Sequence, residues 1–179
     1  MRKLLVLGSA IVLVAAAAVA VHARQDKSKR PSPPATAKCD LPGGKSITVD
    51  YSSPRAKGRK IFGGLVPYGE PWRTGANEAT TFVTTADLMV GGKHVPAGSY
   101  TIFTIPNKDK WTLIVSKKTG EWGIPYPGAD MDLVRADMNA SATSSPVDNM
   151  TIAFDKGDKD CTLRIEWEST RATIAISPM

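Results

Sequence analysis

A chain of 179 residues, 42% hydrophobic and with only two cysteines, has enough material for one globular core and is neither a disulfide-dense miniature nor a multidomain array. Its formal charge of +6 overstates the basicity of the folded part. Of its 23 Lys and Arg, two precede the apolar N-terminal run and five lie between Arg24 and Lys38, so the region from Cys39 onward holds 16 against 16 Asp and Glu. A neutral domain behind a basic leader lacks the charged face of a nucleic-acid binder, which argues against that class.

The leader comes first. Arg2 and Lys3 precede an uncharged apolar run, Leu4 to Val21, and small residues around Ala23 offer a cleavage point. Residues 1–23 are therefore expected to be a secretory signal peptide, with an uncleaved membrane anchor as the alternative because the run is long for a signal core. Lys38 stands where a lipoprotein signal needs a small residue before Cys39. Residues 24–45 are expected to form a basic, Pro-rich linker, with "RPSPPATAK" extended and "CDLPGGKS" turn-rich. The tail is expected to be a solvated spacer, with contact to an anionic lipid or polymer as the alternative. The expected location is periplasmic or secreted, and there Cys39 and Cys161 are expected to pair as a disulfide.

From Ser46 the pattern is that of strands, and residues 46–179 are expected to form the folded domain. "SITVDYS" alternates, "ATTFVTTADLMV" is rich in Thr and Val, and "GGK" turns into "HVPAG". "SYTIFTIP" and "WTLIVSKK" flank the turn "NKDK" as a hairpin. "NMTIAFD", "CTLRIEWES" and "RATIAIS" read as three further strands. In the second, Cys161, Leu163, Ile165 and Trp167 share a core face, while Thr162, Arg164, Glu166 and Glu168 share a wet one. "ADMDLVRADMNAS" fits a short helix or a strand. About eight to ten short strands with little helix predict an all-β fold, an antiparallel β-sandwich of jelly-roll type.

The pieces "SPRAKGRKIFGGLVPYGEPWRTGANEATTF", "GGKHVPAGSYTIFTIP" and "WTLIVSKKTGEWG" resemble a bacterial secreted family catalogued as domain of unknown function 2911. The resemblance spans roughly Ser46 to Ile176. It implies a secreted all-β domain and brings no activity with it.

Candidate chemistry narrows by elimination. His94 is the only histidine after His22, and CxxC, HExxH and GxSxG are missing, so neither a metal centre nor a cofactor is expected. What remains is "PWRTGANEAT" and its upstream neighbour "SPRAKGR". Gly75 suggests a positive φ or a close backbone approach. Asn77 and Glu78 are expected at the start of a strand. Arg73 suits a carboxylate or phosphate, and Glu78 is its nearest expected partner. Two readings stay open at this point. In one, Arg55, Arg73 and Glu78 form a polar corner, with Trp72 capping the core. In the other, Arg55, Arg59, Trp72, Arg73, Asn77 and Glu78 line a ligand site, flanked by Trp122 and Tyr126 from "GEWGIPYPG". Trp111 and Trp167 read as core.

The expected function is an exported, non-catalytic sandwich binding an envelope carbohydrate or peptide-like ligand at this end. Its membrane contact would run only through the N-terminal segment. The alternatives are a hydrolase using Glu78 with Asp132 or Glu70, and a structural module for envelope interactions.

Overall fold

The computed structural model describes residues 26–179, so the expected signal peptide lies outside the described residues. Nine strands follow in chain order: β1 (Pro34–Leu41), β2 (Lys45–Ser52), β3 (Thr81–Thr84), β4 (Leu88–Val90), β5 (Lys93–Val95), β6 (Gly98–Ile105), β7 (Lys110–Ser116), β8 (Asp132–Lys156) and β9 (Cys161–Pro178). All neighbours are antiparallel, in the order β1-β2-β3-β6-β7-β8-β9-β4-β5. Helical structure among the described residues is confined to three 3₁₀ turns. One of them, Ala129–Met131, leads straight into β8, so "ADMDLVRADMNAS" is chiefly strand.

The sheet folds over because β8 and β9 are long enough to serve two layers. The first half of β8 pairs with β7, from Asp132 to Asn139. Its second half pairs with β9, bridges at Asn149 to Arg55 of the loop after β2, and faces β1 and β2. There the Tyr51 hydroxyl donates to the Ile152 carbonyl at 3.4 Å and accepts from the Ile152 amide at 3.0 Å. The Cys39–Cys161 disulfide joins β1 to β9 across the fold, with Cα atoms 6.6 Å apart. Closing a loop of 122 residues stabilises by about 5 kcal/mol on a chain-entropy argument.

The expected linker over residues 24–45 is overturned from Pro34 onward. "PATAKCDL" is β1, in register with all of β2. Ala37, Cys39 and Leu41 are buried at alternate positions, between exposed Lys38 and Asp40. Pro34 is tolerated because it is the first residue of an edge strand, where no ladder donor is lost.

β9 merges two expected strands into one. Cys161, Leu163, Ile165 and Trp167 are buried, as expected, and so are Ala172, Ile174 and Ile176. The buried set switches from odd to even positions. A strand has period two, so an extra residue between the halves is needed for both to face one core. Glu168 takes that place at φ 55°, opposite the register shifts in β8. Glu166 departs from the expected wet face. It is only 8% exposed, held by Arg164 and by Arg171 Nε at 2.6 Å.

Two long connections remain. Residues 53–80 link β2 to β3 without a named strand, and 117–131 link β7 to β8. Loops of this length in a compact domain are where sites are built. The first is anchored by pushing Ile61, Phe62 and Val66 into the core. Trp72 then pairs with β6, exchanging backbone hydrogen bonds with Thr104 at 2.8 and 2.9 Å.

Candidate functional site

Trp72 joins the loop to the interior. It stacks on Trp167, with ring centroids 5.9 Å apart and planes at 18°, and meets Phe62 and Trp111 edge-on at 5.9 and 6.4 Å. Its indole Nε1 donates to the Gly75 carbonyl at 3.2 Å. Trp111 and Trp167 are fully buried, as their sequence setting suggested. Trp72 is half-buried and, with Trp167, forms the floor of an open cleft of about 400 Å³. Leu65, Pro67 and Pro71 make one wall, and Gly123 and Ile124 the other.

The 71–80 loop bends as Gly75 suggested, by close approach and not by positive φ. A Cβ on Gly75 would lie 3.1 Å from the Ser52 carbonyl oxygen and 3.0 Å from Thr80 Oγ1. The left-handed positions are its neighbours, Thr74 at φ 53° and Asn77 at φ 57°. Thr74 is compensated by buried hydrogen bonds. Its hydroxyl meets that of Thr104 at 3.1 Å, and its carbonyl accepts from the Thr80 hydroxyl at 2.8 Å. Asn77 and Glu78 therefore precede the strand, which begins at Thr81.

This bend splits the expected cluster. Glu78 is not the partner of Arg73. It takes Arg30 Nη1 at 3.0 and 2.9 Å and Lys27 Nζ at 3.0 Å. A hydrogen bond from its own backbone, followed by these cations, pulls its carboxyl down to about 2. Asn77 donates to the Ser32 carbonyl at 3.0 Å. Both residues thus hold the basic N-terminal arm against the domain. That arm was expected to be a solvated spacer, but Lys27 and Arg30 have a partner in the fold.

Arg55 and Arg59 lie on the other side of Pro54, in a shallow depression with Lys57. Arg55 Nη1 donates to the Ser53 carbonyl and hydroxyl at 2.8 and 2.7 Å, and Arg59 donates to the Ala56 and Arg55 carbonyls at 2.9 and 2.6 Å. These bonds brace the loop. Tyr126 turns away from the cleft: its hydroxyl bonds to Asp132 and Arg135, and its ring packs edge-on against Phe103 at 5.1 Å.

Arg73 is left on the cleft wall. Its Nε and Nη1 are shut from solvent without any hydrogen-bond acceptor. Burial alone lowers its pKa, because nothing nearby supports the charge. Gly123, at φ 83°, lies flat against its stem, where a Cβ would come within 3.0 Å of Arg73 Cβ and 2.9 Å of Ala79 Cβ. Trp122 sits over the guanidinium at 5.9 Å from its ring centroid. That supplies an aromatic face but no acceptor.

The two loops also gather apolar surface. Leu65, Tyr68, Trp122 and Ile124 are 40–68% exposed, and the only other large exposed hydrophobic among the described residues is Met179. Leu65 and Ile124 were not singled out in the sequence. Their signal was a large aliphatic placed among Gly and Pro, in "GGLVP" and "WGIPYP", where no strand period buries it.

The structure thus defines a disulfide-tied antiparallel β-sandwich with a loop-built cleft at one end. A family described as "Protein of unknown function (DUF2911)" matches residues 32–176, and the chain belongs to that family. The match begins just before β1, in agreement with that strand being part of the domain. Neither the curated proteins nor the solved structures yielded a match.

Proposed function

We propose that this chain is an exported, non-catalytic binding domain whose site is the Trp72–Arg73 cleft and whose ligand is a peptide-like component of the envelope. The observation that carries this reading is the clustering of exposed Leu65, Tyr68, Trp122 and Ile124 on the two loops that build the cleft. Apolar side chains collected at one concavity mark a surface awaiting a partner. The walls favour a peptide over a carbohydrate, since Glu70 and Arg73 are the only charged groups among Pro, Leu, Val, Ile and Trp. The disulfide is compatible with an extracellular location, and no helix among the described residues is long and apolar enough to cross a membrane.

Catalysis by Glu78 has little support. A carboxylate neutralised by Lys27 and Arg30 and held near 2 is both a weak base and a poor acid at neutral pH. The exposed apolar rim does support a second reading, a module that docks this face on a folded envelope protein.

Trp72 and Trp122 report on the cleft directly. Titrating N-acetylated apolar tripeptides into the protein should change tryptophan fluorescence saturably. Ile124→Asp should abolish the change while leaving the melting temperature in place, because Ile124 is 68% exposed. Saturation by oligosaccharides and not by peptides would overturn the peptide reading. Silence to both, with capture of a folded envelope protein that Ile124→Asp prevents, would favour the docking module.

A further inference from the structure

The described chain has seven arginines, and six of them donate to a carboxylate or a backbone carbonyl. Arg73 alone has no acceptor among the described residues, and two of its nitrogens are sealed off. Holding a guanidinium on an apolar wall without a counter-charge is destabilising, and the fold contains the cheaper arrangement at Glu78 and Glu166. A charge left unanswered in a cleft is what a binding site for an anion requires.

Resting on the peptide reading above, we propose that the cleft captures a peptide by its C-terminal carboxylate, with Arg73 as the anchor and the last apolar side chain lying between Leu65 and Ile124. Nε and Nη1 are shut from solvent, so a carboxylate would reach the guanidinium at Nη2 and be held there by one charge-assisted hydrogen bond and by the net charge. Glu70 lines the same cleft outside ion-pair distance of Arg73, so an anion is repelled from its end and directed to Arg73. The peptide source is favoured over an acyl chain by the wall itself. The carbonyls of Pro67 and Pro71 accept no hydrogen bond from other described residues, and they offer acceptors to peptide N–H groups that an acyl chain lacks.

Calorimetric titration of the full chain with three probes tests this: N-acetyl-Ala-Leu-Leu as the free acid, the same peptide as its C-terminal amide, and octanoate. The free acid should bind about tenfold or more tightly than the amide, and octanoate more weakly than the acid. Arg73→Gln should erase the preference for acid over amide while the melting temperature holds, and Arg73→Lys should restore part of it. Equal binding of acid and amide by the wild type would overturn the carboxylate anchor and leave the peptide-binding cleft standing. Octanoate binding more tightly than the acid would assign the cleft to acyl chains instead. Binding of none of the three would overturn both the anchor and the peptide reading on which it rests.

Discussion

Replacing Glu78 by Gln tests the claim that this residue serves the N-terminal arm and not the ligand. Gln keeps the shape and removes the charge that Lys27 and Arg30 share. A carboxyl lowered from 4.5 to about 2 would correspond to roughly 3 kcal/mol at about 1.4 kcal/mol per unit, but its own backbone amide is the largest cause and the arm's cations supply only part. The Glu78 side chain is 41% exposed and Lys27 is 58% exposed, so solvent screens much of that. Arg30, at 19%, is the better-sheltered partner. Discounting to the values of exposed pairs gives about 1 kcal/mol for the whole contact. That is about a fivefold to tenfold shift in the docked fraction of the arm. Limited trypsin digestion reads it directly, because cleavage after Lys27 and Lys29 needs the arm released. Cleavage should be several-fold faster in Glu78→Gln, and the wild type should approach the mutant at about 1 M salt, where the screening length is near 3 Å. The carboxyl is depressed in the fold, so its contribution is complete above about 4.5 and is lost as pH falls through about 2. Arm protection, followed by hydrogen exchange, should therefore persist through mildly acid pH. Equal digestion of wild type and Glu78→Gln at low salt would refute the docking argument.

Three further outcomes are expected. Arg73→Met should leave the melting temperature unchanged or raise it, because it removes an unpaired buried charge and keeps the volume; a loss of several degrees would mean that Arg73 is structural. Gly123→Ala should destabilise by about 1–3 kcal/mol and weaken peptide binding, because the new methyl meets Ala79 and the Arg73 stem at a left-handed φ; chemical denaturation and the fluorescence titration read both effects. Replacing Cys39 and Cys161 by Ser should lower stability by up to about 5 kcal/mol, and equal denaturation midpoints for mutant and wild type would refute the staple.

Local chemistry alone determined the all-β class, the nearly complete set of strands and the disulfide pair. Period-two alternation and turn residues are short-range signals, and they survive whatever the chain does at a distance. The family resemblance was legible for the same reason. β1 was missed because Pro-rich composition masked a modest alternation of Ala37, Cys39 and Leu41. Partnerships were not legible. Arg73 and Glu78 are five residues apart, yet the left-handed turn at Asn77 sends them to different surfaces, one to an apolar cleft and the other to an arm 48 residues upstream. Leu65 and Ile124 became candidates only when two loops 59 residues apart in sequence met over Trp72. Which charge finds which partner depends on long-range closure of the sheet, and that is a property of the assembled fold, not of any stretch of sequence.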